Sequence, residues 1–416
     1  MKIEEHSLMD ADIQASPFAY YHALHEQAPV YFMPDVEAYL VSRYRDVQHV
    51  IRHPEIWSND LLREAGFSMF SHPEAQRVLE EGGWPRDTRL QSDPPAHRDY
   101  RALVSEAFTA GRVRRLEPLI REAARDALEQ MAEGQECEFI STFAAGLPIR
   151  VMTSLLGLPT EDAPQIKFWS DAWVEPLSGA LTKEREIEVA RLGIELQQYL
   201  AGWMERKQAT PTDDVLSALA NARFPSGEAL PMAEKMGLAE HVIVGGHETA
   251  TSALASGLVL LIEHPEVAAA LRAEPSLMKN FVEEVLRLES PSQGFFRYAM
   301  QEGEVAGVKI PRGSMVHVRF AAANRDPEIF PDPDRLDLNR SNAGAHMAFS
   351  QGEHHCLGAP LARLELQVAF EELLARFEDF ELVPGTTLQH LPGLALRTLE
   401  SLPVRYAPRP PTQDTP

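Results

Sequence analysis

Three stretches of the chain place reactive residue types at spacings that could do chemistry. Near the C-terminus, Phe349-Ser-Gln-Gly352-Glu-His354-His355-Cys356-Leu-Gly358 holds one of only two cysteines, with glycines four residues before it and two after. Leu361, Leu364 and Val368 then recur at helical spacing, with Pro360 where a first turn tolerates it. Cys356 therefore ends a glycine-punctuated loop at or near a helix N-terminus, where backbone N–H groups and the helix dipole favour a thiolate. In mid-chain, Val244-Gly245-Gly246-His247-Glu248-Thr249 interrupts the longest helical pattern, 231–262. Two glycines inside a helix cost about 1 kcal/mol each relative to alanine, and a flat ligand pressed against the backbone would be one compensation. The acid and alcohol that follow can open the helix locally and hold water. Upstream, Asp93-Pro-Pro-Ala-His97-Arg-Asp-Tyr-Arg101 sets His97 and Arg101 on one helix face, suited to a pair of carboxylates.

Each stretch has a plainer alternative. A lone cysteine is usually a small apolar residue. A zinc site using His354, His355 and Cys356 is disfavoured because neighbouring side chains cannot easily converge on a tetrahedral ion, and no paired C-x-x-C exists elsewhere. The glycine pair could mark a helix crossing, and His97 and Arg101 a solvated face. A thiolate with glycines clearing room for a flat ligand suits axial ligation of haem iron.

The pattern Phe-x-x-Gly-x-His-x-Cys-x-Gly closely resembles the haem-binding loop of the cytochrome P450 family. Gly-x-Glu-Thr resembles that family's oxygen-activation segment, and Asp-Pro-Pro-x-His-x-x-x-Arg its propionate-binding helix. The resemblance implies haem b with Cys356 as proximal iron ligand, Phe349 near the sulfur, Gly352, Gly358 and Gly245 clearing the porphyrin, and His354, His97, Arg101 and Arg297 as propionate partners. It assigns oxygen activation to Thr249 and proton supply to Glu248. Glu284 and Arg287 resemble the family's Glu-x-x-Arg pair, with Arg335 completing a buried triad from the proline-rich segment that follows; Leu336 replaces the usual aromatic. The likeness spans about 17–407, with the motifs in the family's order.

The elements that must position these residues are mainly helical: 17–28, 44–52, 111–133, 142–156, 161–173, 183–208, 231–262 and 276–288. Short strands are expected at 30–32, 39–41, 296–299, within 305–320, at 380–383 and at 402–406, while 55–90 shows no sustained period and reads as a long loop. The expected fold is mainly α with small β-sheets, one domain over 1–416, with a disordered tail at 408–416.

The formal net charge of −23 argues against nucleic acid and anionic membrane surfaces. Two cysteines give no disulfide framework, and the N-terminal MKIEEHSLMDADIQ lacks an apolar core, so a cytoplasmic protein is expected. No Rossmann fingerprint or cysteine cluster is present, so electrons must come from outside. Arg112, Arg114 and Arg115 form a basic cluster suited to steering an acidic ferredoxin, itself fed by a reductase. The implied activity is monooxygenation by O₂. A peroxide-driven enzyme of the same fold is opposed by the intact Glu248-Thr249 pair, and a non-catalytic ligand sensor by the lack of any appended module.

His241 shares a helix face with Gly245 and Thr249, two turns from the latter, and so is expected at the far side of a substrate cavity. Phe295, Phe296, Leu394 and Ala395 fall in the family's substrate-contact segments, with Gln293 as a neutral polar neighbour. Arg86 and Arg89 can turn inward. A mostly apolar, uncharged substrate follows, with one polar end bonded by His241 or Gln293; the alternative is that His241 is a core residue.

Overall fold

The computed structural model describes residues 1–409 except 67, 86–88, 179–180 and 225, so the expected disorder of the tail falls almost wholly outside the described residues. The helices that position the site are α1 (Phe18–Gln27), α2 (Tyr44–Arg52), α3 (Pro73–Gly82), α4 (Ala96–Ser105), α5 (Ala110–Arg115), α6 (Glu117–Ala132), α7 (Gly146–Leu155), α8 (Ala163–Val174), α9 (Lys183–Ala209), α10 (Met232–Glu263), α11 (Met278–Glu289) and α12 (Ala359–Arg376). Helix α10 is buried almost all round from Ala250 to Leu258, the mark of a helix running through the core rather than over it. Helices α7, α8, α11 and α12 pack around it. Among the described residues no single helix is long and apolar enough to cross a membrane.

The larger sheet has the strand order Val30–Met33, Ala38–Val41, Met315–Val318, Phe295–Ala299, Trp57–Ser58. Its central pair, Ala38–Val41 with Met315–Val318, is parallel, and the remaining pairs are antiparallel. A three-stranded sheet joins Glu136–Glu138, Pro403–Pro408 and Phe377–Leu382 near the C-terminus.

Three segments differ from the sequence expectation. Within the supposed loop 55–90 lies α3, whose inward face is only Ala75 and Leu79, too few apolar residues to show a period. Its N-terminus is held by a carboxylate from far along the chain: Glu186 of α9 accepts from the backbone N–H of Ser71 at 3.0 Å and of His72 at 2.8 Å. Those N–H groups would otherwise lack partners at a helix start. The expected helix 111–133 breaks at Leu116, and Pro118 opens the second piece. The expected 142–156 helix begins with a π-helical turn at Ile140–Ala144.

The largest departure concerns the buried charges. Arg287 is fully buried and satisfies all five N–H groups. It donates to Glu284 Oε1 at 2.6 Å and Oε2 at 2.9 Å, and to the carbonyls of Asn324, Pro333 and Arg335. The second arginine on Glu284 is Arg340, at 3.1 Å, not Arg335. The side chain of Arg335 is exposed, and only its carbonyl turns inward, accepting from both Arg287 and Arg340. The turn-rich backbone of 331–340 points the earlier arginine outward and returns the later one to the acid. Next to Glu284, Glu283 accepts from Arg363 of α12 at 2.6 and 3.0 Å and bonds His346 at 3.0 Å.

Removing one member of a buried ion pair costs about 3–5 kcal/mol. Glu284→Ala, Arg287→Ala and Arg340→Ala should each give little soluble holoprotein, whereas Arg335→Ala should keep wild-type yield and melting temperature. Loss of folding in Arg335→Ala alone would return the sequence-based assignment to favour.

Candidate active site

The loop before α12 is built by backbone geometry. Ser350 and Gly352 both take left-handed φ values, +57° and +71°, and the turn closes when Cys356 N donates to the Phe349 carbonyl at 2.9 Å. Glycine at 352 meets that requirement without strain. Helix α12 starts at Ala359 with Pro360 in its first turn, as expected. The thiol of Cys356 is accessible, yet the surrounding protein desolvates it, so it opens into an interior cleft and not into bulk water. Burial pushes its pKa up; the N–H groups of Gly358 and Ala359 and the charges of Arg101 and Arg363 pull the other way. A thiolate formed here meets two N–H donors and two guanidinium groups. A Cβ on Gly358 would lie 3.8 Å from the sulfur, so glycine leaves that side of the ligand open. Phe349 stacks its ring under the Arg363 guanidinium at 4.7 Å, which fixes it beside the loop.

Above this loop, buried donors converge. His97 of α4 is 1% exposed; its Nε2 donates to the Glu353 carbonyl at 3.0 Å, and its Nδ1 has no partner among the described residues. The His354 ring lies 4.1 Å from that of His97. Asn59 donates to His354 Nδ1, which leaves the His354 Nε2–H buried without an acceptor among the described residues. Burial, with His97, Arg297 and Arg101 nearby, lowers the His354 pKa to about 3. Arg297 is almost fully buried and donates to the Phe296 backbone carbonyl at 2.8 Å. Arg101 donates to the carbonyls of Glu353 and His355. Donors and cations held this way, with no carboxylate bonded to them among the described residues, fit the two carboxylates of a haem. Three supporting groups were not evident in the sequence: Asn59, Asp93, whose charge acts on Arg297, and Arg98, which clamps the Glu353 carboxylate at 2.7 and 3.2 Å.

On α10 the two glycines have different jobs. A Cβ on Gly246 would lie 2.5 Å from Met152 Sδ of α7, so this glycine permits a helix crossing. Gly245 is exposed and a Cβ there would meet nothing within 4 Å, so it borders open space on the face shared with His241 and Thr249. Among the described residues Thr249 Oγ1 makes only a long bond, 3.4 Å, to the Gly245 carbonyl, which leaves its hydroxyl available. Glu248 is half-buried, and burial raises its pKa.

The expected pocket residues divide. Phe295, 43% exposed, shares a strand face with buried Arg297, whereas Phe296 points to the opposite face and packs edge-on against His317. Phe296 and Leu394 join the N-terminal core cluster with Tyr21 and Leu24. Gln293 is not available to a substrate: its Oε1 accepts from Tyr21 and Arg319, and its Nε2 donates to the carbonyls of Glu289 and Ser290, which exhausts an amide. Ala395 is half-buried and uses its carbonyl for Gln293 N. His241 is exposed. Arg89 pairs with Glu234 at 3.5 Å, and Arg86 lies outside the described residues.

A family model described as "Cytochrome P450" matches residues 192–400. The chain is 38% identical over 373 residues to a mycinamicin IV hydroxylase/epoxidase of Micromonospora griseorubida, covering 88% of this chain and 89% of that one. It is 34% identical over 413 residues to a vitamin D(3) 25-hydroxylase of Pseudonocardia autotrophica, covering 98% of both. Among solved structures, cytochrome P450 CYP109Q5 from Chondromyces apiculatus superposes with a TM-score of 0.85 at 32% identity, covering 97% of this chain and 98% of that one. The fold, the thiol loop and these relatives agree: the chain belongs to the cytochrome P450 family of haem b monooxygenases.

Proposed function

We propose that this protein inserts one oxygen atom from O₂ into a mostly apolar, uncharged small organic substrate, with electrons from an external ferredoxin and its reductase. The observation that carries the reading is the convergence of His97, His354, Arg297 and Arg101, donors without a bonded carboxylate among the described residues, above the desolvated Cys356 thiol. Bound between them, haem b with a thiolate ligand supplies O₂ activation, the thiolate favouring O–O cleavage. The chain does the rest. Gly358 and Ala359 N–H groups stabilise the thiolate. Glu248, with its pKa raised by burial, holds a proton to higher pH than an ordinary carboxylate, which suits a proton donor. The Thr249 hydroxyl can leave its long bond to Gly245 and hold a proton or water at the cleft.

An uncharged substrate is supported by the open Gly245–Thr249 face, by Phe295 and by the capture of Arg89 by Glu234. Relatives named for mycinamicin IV, vitamin D(3) and 6-deoxyerythronolide B are consistent with organic substrates of this kind. For the electron donor, the expected basic cluster is smaller than the sequence indicates. Arg112 turns to Asp213 at 2.6 Å and Glu106 at 3.0 Å, and Arg115, 65% exposed, lies 3.7 Å from the same Asp213, so exposed Arg114 and the loosely paired Arg115 are the steering charges.

The reduced protein with CO should show the red-shifted Soret band of thiolate ligation, and a histidine-type band in active protein would exclude Cys356 as ligand. Thr249→Ala should keep haem and fold, and still consume NAD(P)H and O₂, but release peroxide in place of product; unchanged coupling would remove Thr249 from proton handling. Charge reversal at Arg114 and Arg115 should slow reduction by ferredoxin, most strongly at low salt. A rate indifferent to both charge and salt would place docking elsewhere.

A further inference from the structure

His49 and His53 stand four residues apart at the C-terminal end of α2. Their rings meet, with centroids 4.5 Å apart and planes tilted by 41°. His49 is exposed and His53 half-buried, so water reaches both. Two histidines four apart on a helix face can share one metal ion. Two metal–nitrogen bonds of about 2.1 Å at a tetrahedral angle need nitrogens about 3.3 Å apart, a span that these ring positions allow.

The plainer role for His53 is to cap the helix. Its Nδ1 lies 2.8 Å from the His49 carbonyl, one of the carbonyls that a helix end leaves without an intrahelical partner. That bond also prepares the ring for a metal. A carbonyl only accepts, so Nδ1 carries the hydrogen, and the lone pair of the neutral imidazole stands on Nε2. Metal-ligating histidines are oriented in this way, by an N–H given to a carbonyl or carboxylate. Capping accounts for His53 but not for the second imidazole laid against it. The His49 ring makes no hydrogen bond among the described residues.

The surrounding charges are mixed. Asp46 lies one turn before His49 on the same face; burial raises its pKa, and Arg43 and His49 are among the charges that lower it. Arg45 and Arg52, exposed on the neighbouring stripe, oppose a cation. Among the described residues no third histidine, cysteine or carboxylate completes the group, so water must fill the remaining positions. Imidazole ligands favour Cu²⁺ over Ni²⁺ and Zn²⁺, and pass over Mg²⁺, which takes oxygen.

We propose that His49 and His53 form a binding site for one divalent transition-metal ion of the imidazole-preferring class, Cu²⁺, Ni²⁺ or Zn²⁺. The thiol loop is tied to a different stripe of α2: Gln48 donates to Gln351 Oε1 at 2.9 Å, and Gln351 Nε2 donates to the Tyr44 hydroxyl at 2.7 Å. The ion therefore staples the last turn of α2 without entering the cleft.

The test uses chelator-washed holoenzyme without an affinity tag. Zn²⁺ is titrated by calorimetry and Cu²⁺ by electron paramagnetic resonance, with Mg²⁺ as the control. Wild type should bind one Zn²⁺, Cu²⁺ should show coupling to two imidazole nitrogens, and Mg²⁺ should give no heat. His49→Gln and His53→Gln should each weaken binding by more than roughly tenfold, the loss that removing even an outer-shell partner brings. Zn²⁺ should raise the melting temperature of wild type and of neither variant. The CO-bound Soret band should not move, because the ion lies away from Cys356. Glutamine at 53 keeps an N–H donor for the capped carbonyl; if that variant still melts early, His49→Gln, whose parent side chain makes no bond among the described residues, carries the test. Wild-type affinity in His49→Gln, a Soret shift on adding Zn²⁺, or equal response to Mg²⁺ would each overturn the proposal and leave His53 as a helix cap alone.

Discussion

The placement of Cys356 hangs from two adjacent carboxylates on α11. Glu284 holds the turn-rich segment through Arg287, Arg340 and the N–H of Asp337. Glu283 holds α12 through Arg363 and the strand of chain leading to the thiol loop through His346. Buried charge is costly, and such a cluster is tolerable only when nearly every donor is used, as Arg287 shows. Burial raises the Glu283 pKa, but His346 and Arg363 overcome it and bring it to about 2. Because the folded value is depressed, its contribution to stability is complete above the ordinary carboxylate range and disappears as pH falls toward about 2. The loop is thus anchored by a Glu283 carboxylate that stays ionised throughout the neutral range.

With the loop fixed, the two walls of the cleft divide the labour. The α12 side offers cations and N–H groups, a surface that stabilises negative charge on sulfur and on carboxylates. The α10 side offers a missing side chain, a half-buried acid and a loosely bonded hydroxyl.

Where the chemistry is confined to consecutive residues, it could be read from the sequence. Cys356 with its glycines, Gly245 with Glu248 and Thr249, and His97 with Arg101 all lie on one loop or one helix face, and local geometry decides their relation. Residues whose role depends on tertiary direction could not be read. Arg335 and Arg340 are both plausible partners for Glu284, and only the path of the turns selects the later one. Gln293 has the right chemistry for a ligand contact but is consumed by Tyr21 and Arg319, from distant parts of the chain. Phe295 and Phe296 differ by one strand position, and that position leaves one exposed and sends the other to the N-terminal core. Helix α3 is not legible because its inward face is only Ala75 and Leu79 and its start is held by Glu186, more than a hundred residues away.

That cap has a mechanical side. Glu186 and Gln197 stand eleven residues apart on α9, close to three full turns, so they share a face. Glu186 grips the start of α3 at Ser71 and His72, while Gln197 grips the chain beyond its end, accepting from Trp84 N and donating to Trp84 O. Between them, Gly82 and Gly83 lie so close to Ile194 and Gln197 that an added Cβ would collide. The segment is strapped to α9 at both ends with no slack in the middle. Sliding one along the other by a single turn would break both straps at once, so α9 and residues 71–84 must translate together as one stiff bar.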